Sequence, residues 1–209
     1  MSTVSELEAL VAERREALGE AHSDTLTAML DLAEALWAEG RLSRARQLEE
    51  TVVAGRRALY GEAHPDTLKA LGKLAVTIGQ QGNRAAARQM QEQVVAGMRA
   101  LHGDEGRDTL RAINNLAGTL AVLGDAFAAR AMLEETIATL TRVFGEEDVD
   151  TLTSRGNLAA LLWQFGERDE ACELQEHVAA ALRRTRGRDD PATQAAETTL
   201  AVMLNEGLF

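Results

Sequence analysis

Gly61-Glu62-Ala63-His64-Pro65-Asp66-Thr67-Leu68 decides the reading of this chain. The glycine can end a helix, Pro65 suits the first position of the next one, and Asp66 complements the positive end of that helix. A stop and a start are thus written into one short segment. Counting outward from it finds the same signals again. Gly19, Gly61, Gly103, Gly145 and Gly187 stand 42 residues apart, Gly40, Gly82, Gly124 and Gly166 repeat that interval, and Asp-Thr-Leu returns at Asp24, Asp66, Asp108 and Asp150. Three markers sharing one period make this a repeat protein.

Between the markers the apolar residues follow helical spacing: Leu26, Leu30, Ala33 and Leu36 in one segment, then Leu42, Ala45, Leu48 and Val52 in the next. Each repeat is therefore a pair of helices, with the Gly40-type residue supplying the left-handed conformation that reverses the chain. His22, His64, Asp148 and Asp190 fall at helix cap positions. The pattern predicts full pairs over 23–60, 65–102, 107–144 and 149–186, one helix before them over 4–18 and one after them over 191–205. That is about ten helices in a single domain, 1–209.

Composition agrees and narrows the function. Seven aromatics and two prolines in 209 residues, with Ala, Leu, Arg, Glu and Gly dominant, suit small-residue helix packing. The net charge of −11 opposes phosphate backbones and anionic lipid, so neither nucleic acid nor a membrane is an expected partner. No apolar run reaches the roughly 20 residues of a bilayer crossing. Lys69 and Lys73 are the lysines among 22 basic residues, an arginine bias that suggests a GC-rich bacterial source. Cys172 has no second cysteine to pair with, and no secretory leader is visible, which fits a cytoplasmic location.

The intact Gly61–Leu68 segment resembles the G-x-x-H-P-D-T-L linker of tetratricopeptide repeats of the kinesin light chain type. Leu32–Ala33, Leu74–Ala75, Leu116–Ala117 and Leu158–Ala159 in the first helices, and Ala45, Ala87, Ala129 and Ala171 in the second, carry the same resemblance. The linkers at Glu105–Asp108 and Glu147–Asp150 depart from the pattern, and the last, at Asp190–Thr193, loses its aspartate. The resemblance implies an all-α fold, a right-handed α-solenoid of antiparallel helix pairs, with a concave groove lined by the first helices. It also implies that the residue before each Leu-Ala pair points into the groove: Asp31, Lys73, Asn115 and Asn157. An asparagine there can bond the backbone of an extended peptide, offering donor and acceptor from one amide.

The same stripe collects Glu34, Lys69, Gly72, Val76, Arg111, Asn114, Gly118, Thr153, Gly156 and Ala160. Asp31 and Glu34 make its start acidic, whereas Lys69, Lys73 and Arg111 make its middle basic, a site for an acidic side chain or a free C-terminus. Trp37 and Trp163 hold equivalent places, open either to a ligand or to helix packing. Tyr60, His102 and Phe144 read as packing residues.

No catalytic constellation is expected. The four histidines lie at helix ends or in separate repeats, no ligand pair has metal spacing, and the glycines stand singly, so neither metal nor cofactor is implied. The leading expectation is a non-enzymatic protein- or peptide-binding scaffold. Two alternatives stay open: the ligand-sensing module of a signalling ATPase or transcription regulator, and a biosynthetic enzyme using the groove, which would need an acid–base pair such as Asp31 or Glu34 facing Lys73. Self-association through Leu208–Phe209 also stays open.

Overall fold

Ten helices make up residues 3–206, the part of the chain that the computed structural model describes, and no strand occurs among those residues. They are α1 (Val4–Leu18), α2 (Ser23–Ala38), α3 (Leu42–Tyr60), α4 (Pro65–Gln80), α5 (Arg84–His102), α6 (Arg107–Leu123), α7 (Ala126–Phe144), α8 (Val149–Gln164), α9 (Arg168–Arg186) and α10 (Pro191–Glu206). The all-α class and the helix number are those expected. Leu208–Phe209 lies outside the described residues.

Each boundary has a backbone cause. The nine positive-φ residues are the two glycine series, and no other described residue type adopts that region. Gly82, at φ 94°, closes the turn inside a pair. Gly61, at φ 89° and ψ 170°, hands the chain to the next pair in a conformation nearly closed to side-chain-bearing residues.

The starts are equally local. The ring Nδ1 atoms of His22 and His64 accept from the amides of Asp24 and Asp66 at 3.2 Å each. Asp148 Oδ1 accepts from Asp150 N–H at 3.0 Å, and Asp190 Oδ1 from Ala192 N–H at 2.9 Å. These side chains satisfy amides that the first turn leaves without a helical partner. In two of the four Asp-Thr-Leu segments the threonine closes the linker from the other side: Thr25 donates to the Gly19 carbonyl and Thr151 to the Gly145 carbonyl, both at 2.8 Å, whereas the Thr67 and Thr109 hydroxyls are buried without a partner. Glycine lets the linker turn, and at these two joints threonine then fastens it. α6 departs from the scheme, because Gly106 precedes it and offers no capping side chain.

The helices fall into two compact units, Met1–Leu101 and His102–Phe209. In the first, α1 packs on α2, α2 on α3 and α3 on α4. α5 lies against α4 so closely that a Cβ added at Gly97 would stand 2.6 Å from Leu68 Cδ1. In the second, α6 through α10 pack each on the next, and α6 also touches α8. Apolar residues line the seams between helices; in the second unit Leu152, Val178, Ala179, Ala181, Leu182 and Ala196 form one such cluster. Ala33, Ala45, Ala75 and Ala87 in the first unit, and Ala117, Ala129, Ala159 and Ala171 in the second, have no exposed surface. A larger residue at any of these places would hold the paired backbones apart.

No helix among the described residues is long and apolar enough to cross a membrane.

Candidate functional site

In the first unit the marked residues lie along α2 and α4. Asp31 and Lys69 are exposed, and Trp37 is 40 % exposed near the end of α2. The Lys73 ammonium pairs with the Glu34 carboxylate, both side chains roughly half open to water. Glu34 and Lys73 are the acid and base that an enzymatic use of this stripe would need. Exposed as they are, they lack the water-excluding surroundings in which such a pair gains catalytic strength. Gly72 turns inward: it is buried, and its carbonyl accepts from the Gln91 amide of α5 at 3.2 Å.

The second unit brings more together. Leu110, Arg111, Asn114 and Asn115 of α6, Leu140 of α7, and Asp150, Thr153 and Ser154 of α8 line a cleft of about 290 Å³. Four residues of the stripe read from the sequence meet here: Arg111, Asn114, Asn115 and Thr153. Asn157 is exposed on α8 but does not line the cleft, and the ring of Trp163 is covered by the Arg168 guanidinium at 5.0 Å.

An ion-pair network frames the cleft. Arg107 forks onto Asp148 through two bonds of 2.9 and 3.0 Å, also pairs with Asp150, and lies 4.0 Å over the Phe144 ring. Arg111 Nε donates to the other Asp150 oxygen at 2.7 Å. The Arg107 guanidinium holds the Asp148 carboxyl below its ordinary range, while bonds to Asp148 and Asp150 raise Arg107 further above its own. The charge polarity read from the sequence is muted as a result. Arg111 and Lys73 are both neutralised by acids of a neighbouring first helix, Asp150 and Glu34, because such helices lie side by side. A reading of one helix at a time does not see across that gap.

Asn114 is the unusual member. It is 8 % exposed, and its Oδ1 is buried with no hydrogen-bond partner. Gly72 and Gly156 hold its place in the adjoining repeats, opposite second-helix glutamines: Gln91 bonds Gly72 as described, and Gln175 comes within 3.9 Å of a Cβ added at Gly156. In the third repeat the amide stands on the first helix, and the glutamine position holds Leu133. Asp150, Ser154, Leu110 and Leu140 were not marked from the sequence. Asp150 reads in the sequence as part of a helix start, which it also is. Among the described residues no cluster of His, Cys, Asp and Glu could hold a metal ion.

Tetratricopeptide repeat family models match residues 108–184 and, in two consecutive copies, 25–66 and 67–108. Among solved structures, a Podosopora anserina protein assigned as a kinesin light chain with nearly identical TPR-like repeats is 30 % identical; the match covers 88 % of this chain and 86 % of that one, with a TM-score of 0.67. A second structure of that protein, also 30 % identical, covers 88 % and 87 % with a TM-score of 0.64. BtubC (BKLC) from P. vanneervenii shares the fold at 20 % identity, over 97 % of this chain and 82 % of that one, with a TM-score of 0.71. No curated protein matches the chain. Linker motif, glycine register, helix pairs and these likenesses agree: the chain belongs to the tetratricopeptide repeat family, in its kinesin light chain-like form.

Proposed function

We infer that this chain, like tetratricopeptide repeats generally, is a protein-interaction scaffold. We propose that this chain is an adaptor that captures a polypeptide segment, and that the cleft between α6 and α8 is its docking site. The observation that carries this reading is the meeting of Arg111, Asn114 and Asn115 in one cleft.

The chemistry suits an acidic side chain or a free C-terminus. Arg111 is about half exposed, so a ligand carboxylate can reach it and take it from Asp150, which is itself only 12 % exposed. Asp150 is then left with Arg107, which already pairs with it. Asn115, exposed beside Arg111, offers one donor and one acceptor to a peptide backbone.

The test is fluorescence anisotropy with labelled peptides ending in acidic residues, comparing the native chain with an Arg111→Ala/Asn115→Ala variant. The expected result is a loss of about tenfold or more in affinity and a fall in affinity with salt. Equal binding by both chains removes the cleft from consideration.

A further inference from the structure

The turn between α6 and α7 carries an apolar surface that the repeat does not require. Val122, Leu123 and Phe127 are exposed there, Phe127 by 87 %. In the other repeats the place of Val122 is held by Ala38, Gln80 and Gln164, and that of Phe127 by Ser43, Ala85 and Asp169. The same turn therefore forms with small or polar residues, and folding does not account for these side chains.

The surface continues into the next repeat. Arg130, one helical turn beyond Phe127, donates to Glu167 at 2.7 Å and to Glu170 at 3.3 Å. This bonding brings the α8–α9 turn, with Phe165 45 % exposed, alongside the first turns of α7. Acids outnumber bases around the patch: Asp125, Glu167, Asp169 and Glu170 against Arg130 and Arg168. An exposed aromatic with a polar rim is the usual anatomy of an interaction site.

We propose that this edge of the second unit docks a basic amphipathic segment of another protein, its apolar anchors seated on Phe127 and Leu123 and its Lys or Arg side chains against the acidic rim. Charge selects this occupant. A second copy would bring the same rim and a net charge of −11 against itself, and anionic lipid would be repelled by it. The surface is separate from the α6–α8 cleft and does not depend on the function proposed for it.

The probe is a labelled amphipathic helix of about 18 residues, five turns, with leucine on one face and lysine on the other, beside a counterpart with glutamate in place of lysine. The native chain, Phe127→Ser and Arg111→Ala/Asn115→Ala are compared by anisotropy. Phe127→Ser is a surface change and is expected to keep the native circular dichroism spectrum and a melting temperature within about 2 °C. The proposal requires that the lysine peptide bind the native chain and the cleft variant alike, that Phe127→Ser weaken it about tenfold, and that the cleft variant fail to bind the glutamate peptide. Equal binding to Phe127→Ser would mean charge attraction alone and overturns the proposal. So does absence of binding at about 0.1 mM peptide. Sedimentation showing self-association that Phe127→Ser abolishes assigns the patch to a second copy. Phe127-dependent binding to phosphatidylcholine vesicles assigns it to a lipid surface. Either assignment replaces the one made here.

Discussion

At Glu49 a carboxylate occupies a place that the chain fills with glutamine at positions 91 and 175. It is 3 % exposed; one oxygen accepts from Thr77 Oγ1–H at 3.0 Å and the other is buried without a partner. Burial pushes its pKa above the ordinary 4.5, opposed in part by the Thr77 bond and Lys73 and reinforced by Glu34 and Glu50. A raised folded-state pKa means that stability from this group is complete below about 4.5 and is lost as pH rises through the folded value. Glu49→Gln keeps the acceptor for Thr77 and removes the charge. It is expected to stabilise the chain by about 1 kcal/mol near neutral pH and by less at pH 5, read from melting curves at the two values. A variant less stable than the native chain at neutral pH refutes this account. Asn114 poses the opposite test. Asn114→Leu installs the residue found at Leu30 in the first repeat and removes a buried amide oxygen without a partner. Stability is expected to rise by about 1 kcal/mol while binding of the acidic peptide at the cleft weakens. If binding is unaffected, Asn114 has no part in the site. Neither position stands out by residue type; each is seen by comparing repeats at the 42-residue spacing and then asking where the polar atoms go.

At the scale of helices, Arg107 and Gly106 separate what local sequence decides from what it does not. Because Asp148 is held below its ordinary 3.8 by Arg107, its contribution is complete above that value and is lost as pH falls through the lower folded value. Arg107→Ala leaves Asp148, 17 % exposed, without its arginine and Asp150, 12 % exposed, with Arg111 alone. A loss of about 2 kcal/mol at neutral pH is expected, narrowing in acid as the carboxylates protonate, and urea titrations across pH measure both. A loss that stays constant into acid contradicts the ion-pair explanation. Gly106 invites replacement by aspartate, the residue that caps α8 from the matching place. Yet a Cβ at Gly106 would stand 2.5 Å from His102 Cβ and 2.6 Å from the His102 carbonyl oxygen. Gly106→Asp is therefore expected to destabilise the second unit by about 1–3 kcal/mol despite restoring a cap, and a raised melting temperature would contradict this. The four capping side chains were legible because cap and amide lie two residues apart. The crowding at Gly106 was not, since it depends on the path of the preceding helix end.

Across the whole molecule the fold was legible because its period is global: any one linker could mislead, but the glycine series and Asp-Thr-Leu marks in register could not. The cleft was half legible. Arg111, Asn114 and Asn115 lie on one helix stripe, whereas Asp150 and Ser154 enter from another repeat, and the distance between first helices is a property of packing. Packing of this kind makes each seam depend on its neighbour. α10 covers Leu152, Val178 and Leu182 through Ala192, Ala196 and Leu200, and its Ala196 carbonyl accepts from the Gln175 amide at 2.9 Å. Ending the chain after Gly187 is expected to remove about 3 kcal/mol or more and to strip hydrogen-exchange protection from α9. Protection retained in α9 would show that its own pairing with α8 suffices. At the two joints where it forms, the threonine bond to the linker glycine has a mechanical meaning as well. A hydroxyl fastened to a carbonyl six residues earlier takes the slack out of the joint, so the most permissive residue in the chain ends as part of a rivet. Under a stretching load each of these two joints is expected to pass force to the side-chain seams beside it before it bends.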